Sequence, residues 1–549
     1  MHHVRRKIAL TAALLLLVSA LIGAAAFAFR REAAWDFVRG YAAAPRALPD
    51  APSAGEIERG ARLFAHGNFG ALNTDAMQSV AVPWKVAAAA LLRAHTAPGE
   101  PVSAERLPTI LQQYGFLHPT SLAGLGSSGD GEVLGLVRGT ARRSVPPLEV
   151  EIANTGCAAC HAGPAYDAQG RPRPQEAWLG SPNTSIHLQR YTEDLYAALR
   201  AAMRDETRLL ADIRKAYPQT TERELSTLKT FVFPVARQRI AALEKAGAGP
   251  LPFANGPPGV TNGVAALKLQ TKGLGDGRLE HGHTAIPHLA DRGLRSALLY
   301  DGAYAPPGAA RFRPLREADV TREHSDQLAT ITAFFTVPTM GLSPGRARAA
   351  IADAQDVMAF LVRQRPQPYP GVIDPVAAAR GRMIYDGACA NCHGVYDRAA
   401  AAPRLAAFPN WCGDVGTDPA RREAITADLV RRIQRSAYSD LISVARTGCY
   451  AAPPLTGLWS SAPYLHNGSV PSLTQLMGLE PRASRFRVGG HALDLQRLAI
   501  AYPEGYRPWS KPGVIDTGQP GFGNSGHEAQ FSGLTDAQKR DLIEFLKQL

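Results

Sequence analysis

Two short stretches constrain this chain more than anything else in it: "TGCAACHAG" (155–163) and "GACANCHG" (387–394). Each holds two cysteines three positions apart, with a histidine directly after the second. Side chains three apart share a face of a helical turn, so both thiols reach one edge of a single bound group while the histidine swings beneath it. This is the c-type haem attachment pattern. It predicts Cys157, Cys160 and His161 on one haem and Cys389, Cys392 and His393 on another, with the two histidines as proximal iron ligands. A thioredoxin-like motif expects a βαβ setting, and a zinc site needs further Cys/His pairs; neither motif has them. The expected cofactors are two covalently attached haem c groups.

At 549 residues the chain is long enough for two or more domains, each with its own core. Its 51 glycines and 42 prolines predict long loops between short helices. The net charge of +12 is scattered, with no Lys/Arg tract beyond the first few residues, which argues against nucleic acid as a partner. At the start, Arg5, Arg6 and Lys7 precede an apolar run from Ile8 to Phe29. About 20 such residues span a bilayer as a helix, and the basic flank holds the N-terminus in the cytoplasm. Ala26-Phe27-Ala28 also reads as a signal-peptide cleavage site. Both readings export the body: periplasmic and anchored to the inner membrane in the first, released in the second.

The segment 374–394 carries Val376, Ala379, Met383 and Ile384 at helical spacing, with Gly387 as a stop before the second motif. Near the other end Thr535 and Gln538 form a capping-box pattern ahead of Leu542, Ile543, Phe545, Leu546 and Leu549. A helix before the motif and one closing the chain frame a class I cytochrome c domain. "DAQDVMAFLVRQ" (353–364) echoes "DAQKRDLIEFLKQ" (536–548), which suggests duplication, and the proline-rich stretch after it reads as a linker. The expected fold is mainly α, with two class I cytochrome c-like domains in tandem, long loops and an N-terminal hydrophobic helix. The expected boundaries are 1–32 for the signal anchor or signal peptide, 50–364 for an N-terminal domain, 365–375 for the linker and 376–549 for a C-terminal domain. The first domain would open on a helix over 55–68, with an Ala- and Leu-rich insertion of added helices before its haem motif.

The stretch "PPLTGLWSSAPYLHNGSVPSLTQLM" (453–477) resembles the bacterial di-haem cytochrome c peroxidase superfamily. "LGSPNTS" (179–185), "GTDPAR" (416–421) and the ending "GNSGHE…LTDAQKRDLIEFLK" resemble its rubber oxygenase A-like branch. The resemblance implies divided labour. An N-terminal haem with an open position meets peroxide or dioxygen, and a six-coordinate C-terminal haem relays electrons to or from a periplasmic donor or acceptor protein. It leaves room for a calcium ion between the domains. By position ahead of the last helix, it implies His527 as distal ligand opposite His393, with His466 the competing candidate and Met477 a weaker one. His187, His281, His283, His288 and Met340 are candidates for the distal side of His161. No glutamate or glutamine stands in a recognisable acid–base position, so the catalytic residues stay unassigned, and Trp178, Trp411 and Trp459 are the tryptophans nearest the motifs. Cys412 and Cys449 form a disulfide or remain two buried thiols. Rival readings are a pure electron-transfer cytochrome and a haem-based sensor of a diatomic ligand.

Overall fold

The computed structural model describes residues 51–67, 82–123, 126–127, 132–143, 147–270, 281–339, 344–397 and 403–549. Two helix pairs organise it. Helix α1 (Ala54–His66) starts on a capping box between Ser53 and Glu56 and buries Gly60, Ala61, Phe64 and Ala65. It packs on α2 (Ile351–Arg363). Helix α3 (Pro375–Ala388), capped by Asp374, packs in the same way on α4 (Asp536–Leu546), which starts on the expected Thr535/Gln538 box. Gly387 lies inside α3, which runs on to Ala388.

The two pairs repeat each other residue by residue. A Cβ at Gly60 would stand 1.9 Å from the Asp356 carbonyl oxygen, and one at Gly381 would stand 1.9 Å from that of Asp541. Only a residue without a Cβ allows so close a crossing. Beside each glycine an arginine grips the facing aspartate with two nitrogens: Arg59 on Asp356 at 2.6 and 3.0 Å, Arg380 on Asp541 at 2.7 Å twice. One turn further, Phe64 meets Phe360 with ring centres 5.6 Å apart, and Tyr385 meets Phe545 at 5.1 Å. Each pair anchors its own buried apolar cluster.

The expected mainly α architecture of two class I cytochrome c-like domains is corrected: the fold is mixed α/β, with eight small sheets of two to four strands among the described residues. Strand β1 (Leu136–Arg143) runs antiparallel to β2 (Leu148–Thr155), from Leu136 opposite Thr155 to Arg143 opposite Leu148. Leu148, Val150 and Ile152 alternate with Glu149 and Glu151, the period-2 signature of a half-buried strand, inside the insertion expected to add helices. Strand β3 (Ala162–Tyr166) pairs with β4 (Pro172–Leu179). The first motif is therefore strung between β2 and β3, whereas the second follows α3 directly.

Among the described residues no helix is long and apolar enough to cross a membrane. The expected spanning helix over Ile8–Phe29 lies outside the described residues. The partners and location expected of this chain are corrected accordingly. Inner-membrane attachment, a periplasmic site, a periplasmic donor or acceptor protein, and peroxide or dioxygen as partners find no support in the described fold.

Candidate functional site

Each motif histidine is oriented in the same way. His161 donates from Nδ1 to the Pro287 carbonyl at 3.1 Å, and His393 donates from Nδ1 to the Pro453 carbonyl at 2.8 Å. Such a bond fixes the tautomer and leaves Nε2 as a free electron pair, the arrangement found behind metal-ligating histidines. Burial above all lowers both pKa values, that of His161 to about 4 with Arg292 adding to the effect. Both rings are thus neutral at physiological pH. Burial also pushes the Cys160 thiol up to about 12 and the Cys389 thiol up to about 11.

The "LGSPNTS" stretch explains itself as a brace for the first motif. Gly180 N–H donates to the His161 carbonyl at 2.7 Å, Asn183 N–H to the Cys160 carbonyl at 2.8 Å, and the buried Asn183 side-chain amide to the Ala159 carbonyl at 3.0 Å.

Both motifs open into one chamber of about 710 Å³, walled by Cys157, Cys160 and His161 on one side and Cys389, Cys392 and His393 on the other. His527 also lines it. Its ring centre lies 6.3 Å from that of His393, with the planes 30° apart. The backbone makes an unusual bend to put it there. Gly526 has φ 115° and His527 has φ 67°, a left-handed conformation that a histidine adopts at a cost. His527 N–H donates to the Val415 carbonyl at 2.9 Å, and its ring stacks on Phe531.

His466 sits elsewhere in the wall. It stacks on Tyr450 with ring centres 4.3 Å apart, and its Nε2 lies 3.2 Å from the Tyr450 hydroxyl. That hydroxyl donates to the Asp418 carbonyl at 2.6 Å, so the His466 Nε2–H is the donor to it. Met477 is buried in the C-terminal core. His187 accepts the Arg190 amide at the start of a helix. His288 uses both ring nitrogens, accepting from Ala290 N–H at 3.0 Å and donating to Ser181 Oγ at 3.3 Å. His283 stacks on Phe522, the His281 carbonyl abuts Gly521, and Met340 lies outside the described residues. Trp178 and Trp459 donate to the Arg365 and Gln367 carbonyls, while Trp411 faces the chamber. Cys412 and Cys449 form a disulfide just behind Trp411 and Tyr450.

A second repeat, not seen in the sequence, builds the chamber wall. Residues 287–304 and 453–470 follow the same path without a gap, apart from the cis bond Ala462–Pro463, which the first copy lacks. Pro287 and Pro453 accept from the motif histidines. Asp291 and Gly457, Leu299 and Leu465, and Gly302 and Gly468 all have positive φ. Short 3-10 turns occupy Arg292–Leu294 and Leu458–Ser460, and the bridges Leu298–Tyr304 and Tyr464–Val470 close the two loops. Tyr300 thereby takes the place of His466, and their rings are 6.4 Å apart. The only shared residues are Pro287/Pro453, Leu289/Leu455, Leu299/Leu465 and Gly302/Gly468, too few to stand out in the sequence.

The expected cofactor complement is corrected. Among the described residues no group of three or more His, Cys, Asp or Glu side chains is placed to hold a metal ion. The expected calcium and the two covalently attached haem c groups therefore find no support among the described residues. What the residues fit is narrower. Two imidazoles facing one metal, with metal–nitrogen bonds of about 2.0–2.1 Å, bring their ring centres to roughly 6 Å, which is the spacing of His393 and His527.

Comparison with known proteins points the same way over a short region. Residues 448–487 match the RoxA-like, cytochrome c-like family. The match covers the Tyr450–His466 wall and the loop that repeats 298–304. Among curated proteins, the chain is similar to "Uncharacterized protein y4iM" of Sinorhizobium fredii, 28% identical over 226 residues, covering 34% of this chain and 52% of that protein. It is also similar to "Uncharacterized protein y4iJ" of the same organism, 25% identical over 253 residues, covering 34% of this chain and 41% of that one. The chain thus spans about half the length of the curated relatives it matches.

Proposed function

We propose that this chain is a cytochrome-type redox protein in which His393 and His527 would together hold an iron porphyrin. The observation that carries this is the placement of two buried imidazoles in the chamber wall with ring centres 6.3 Å apart and planes 30° apart. When bound, the iron porphyrin supplies a one-electron couple, which the amino-acid side chains here do not. The chain's own part is positioning. The Pro453 carbonyl holds His393 in the tautomer that presents Nε2, and the Gly526–His527 bend carries the second imidazole to the opposite side. Burial keeps both rings deprotonated, with the pKa of His527 down at about 4. Apolar residues such as Leu476, Leu542 and Leu546 keep water from the space between.

The asymmetry of the two motifs favours an oxidoreductase over a pure electron carrier. Among the described residues no histidine stands across from His161 as His527 does from His393, and the nearby His288 has both nitrogens engaged. On this reading the His161 side would leave one ligand position open, while the His393 side would be closed by its own chain.

Electron paramagnetic resonance of the purified full-length protein tests the reading. A low-spin iron signal is expected in the wild type and its conversion to high spin in His527→Ala. Cyanide or carbon monoxide binding at the open side, in wild-type protein, separates the oxidoreductase from the carrier. Absence of any iron signal or Soret absorbance ends the proposal.

A further inference from the structure

The chamber carries one charged group that nothing in the wall answers. Arg292 lines it beside Tyr300, and among the described residues its guanidinium has no hydrogen bond, ion pair or carboxylate neighbour. The arginines around it are accounted for. Arg421 grips Asp301 through Nη1 at 2.6 Å and Nη2 at 3.3 Å, and so neutralises the nearby carboxylate. Arg295 donates to the carbonyls of Ala297, Ala452 and Leu299 at 3.2–3.3 Å. Burial pushes the Arg292 pKa down to about 10, which still leaves it charged, and its field helps keep His161 and His288 neutral. An unanswered charge on an apolar wall is costly.

The repeated wall shows that the fold does not ask for this charge. In the ungapped match of 287–304 to 453–470, the position of Arg292 is taken by Leu458, which also lines the chamber at the start of its 3-10 turn. The turn forms equally well with leucine. The guanidinium is thus an addition peculiar to the half of the chamber served by His161, and its planar fork suits a carboxylate bound by two parallel hydrogen bonds.

The geometry points to Arg292 as a carboxylate-binding residue of the chamber, the anchor for the acid group of an otherwise apolar occupant. Two sources share this chemistry: a free amphiphilic carboxylate, and a carboxylate arm of a porphyrin. The assignment concerns the chamber of the reading above but stands without iron.

The test compares acids with their uncharged counterparts on the purified full-length protein, followed by the fluorescence of chamber-lining Trp411. The probes are dodecanoate against dodecanol, and metal-free protoporphyrin against its dimethyl ester. The wild type is expected to favour an acid by roughly tenfold or more, as a charge-assisted hydrogen bond warrants. Arg292→Leu, which installs the residue of the matching position, is expected to lose that preference, and Arg292→Lys to keep part of it. A preference in the first pair identifies a free carboxylate, and one in the second pair alone a porphyrin arm. Equal binding of acid and uncharged probe in both pairs, or a preference that survives in Arg292→Leu, overturns the assignment. An unchanged spin state in His527→Ala, or no iron signal in the wild type, would end the reading above and leave this outcome untouched, so the two readings fail separately.

Discussion

At His527 the chain accepts a left-handed backbone that ordinary residues avoid, and what it gains is one imidazole turned toward another. The two rings differ in their support. His393 has the Pro453 carbonyl behind it, whereas the Nδ1 of His527 is buried without a hydrogen-bond partner. A ligand lacking such a partner binds metal more weakly, by about 10–100-fold where this has been measured in comparable sites. If the proposed iron porphyrin is held as inferred, the contact from His527 is the one expected to break first. His527→Ala is expected to convert nearly all low-spin iron to high spin in the resonance spectrum, while His466→Ala leaves the spin state unchanged. The His466 change costs about 1–2 kcal/mol in urea unfolding, through the lost stacking and hydrogen bond on Tyr450. The cysteine–histidine motifs were legible as candidates because metal-binding chemistry has a short spacing code, whereas His527 was a candidate only through the family resemblance. Arg292 and Tyr300 were not, because an arginine in sequence says nothing of whether a carboxylate meets it.

At the scale of elements, the helix crossings depend on two glycines against two carbonyls. Gly60→Ala and Gly381→Ala are each expected to cost about 1–3 kcal/mol or more, since the clash is with backbone that cannot rotate away. Thermal unfolding of the two variants checks this, and an unchanged midpoint would show that the helices slide apart freely. The Cys412–Cys449 bond closes a separation of 37 residues. Its removal in the double serine variant is expected to cost about 4 kcal/mol on the chain-entropy model. It is also expected to loosen Trp411 and Tyr450, read as increased proteolysis between 412 and 449. Helices α1 and α3 were readable from periodicity, and α4 from periodicity and its cap. The strands were harder: β1 and β2 lie in a stretch whose alanines and leucines suggest helix, and only their pairing decides that Val150 and Ile152 share a buried face.

Across the whole molecule, burial holds several histidines neutral. The pKa values of His283, His466 and His491 fall to about 4, about 3 and about 4, from an ordinary value of 6.5. The unfolded chain takes up these protons near pH 6.5, and the folded chain only near pH 4 or below. Stability from this source is therefore complete above pH 6.5 and is lost as pH falls from 6.5 toward 4. Each such histidine contributes on the order of 1–3 kcal/mol. The urea midpoint is expected to drop steeply across that window and to be flat from pH 7 to 8. A midpoint unchanged between pH 7 and 4.5 would show that these rings reach solvent.

Sequence alone determined the two cysteine–histidine motifs, the Thr535/Gln538 cap and the echo between the second members of the helix pairs, because each is encoded within a few adjacent residues. Tertiary structure alone decided that the motifs share one chamber, that His527 faces His393 while His466 turns to Tyr450, and that the wall is built twice. Those facts depend on contacts between residues more than a hundred positions apart, on backbone angles that many sequences adopt, and on burial. A close glycine crossing or an unanswered arginine exists only once the far side of the chain has arrived.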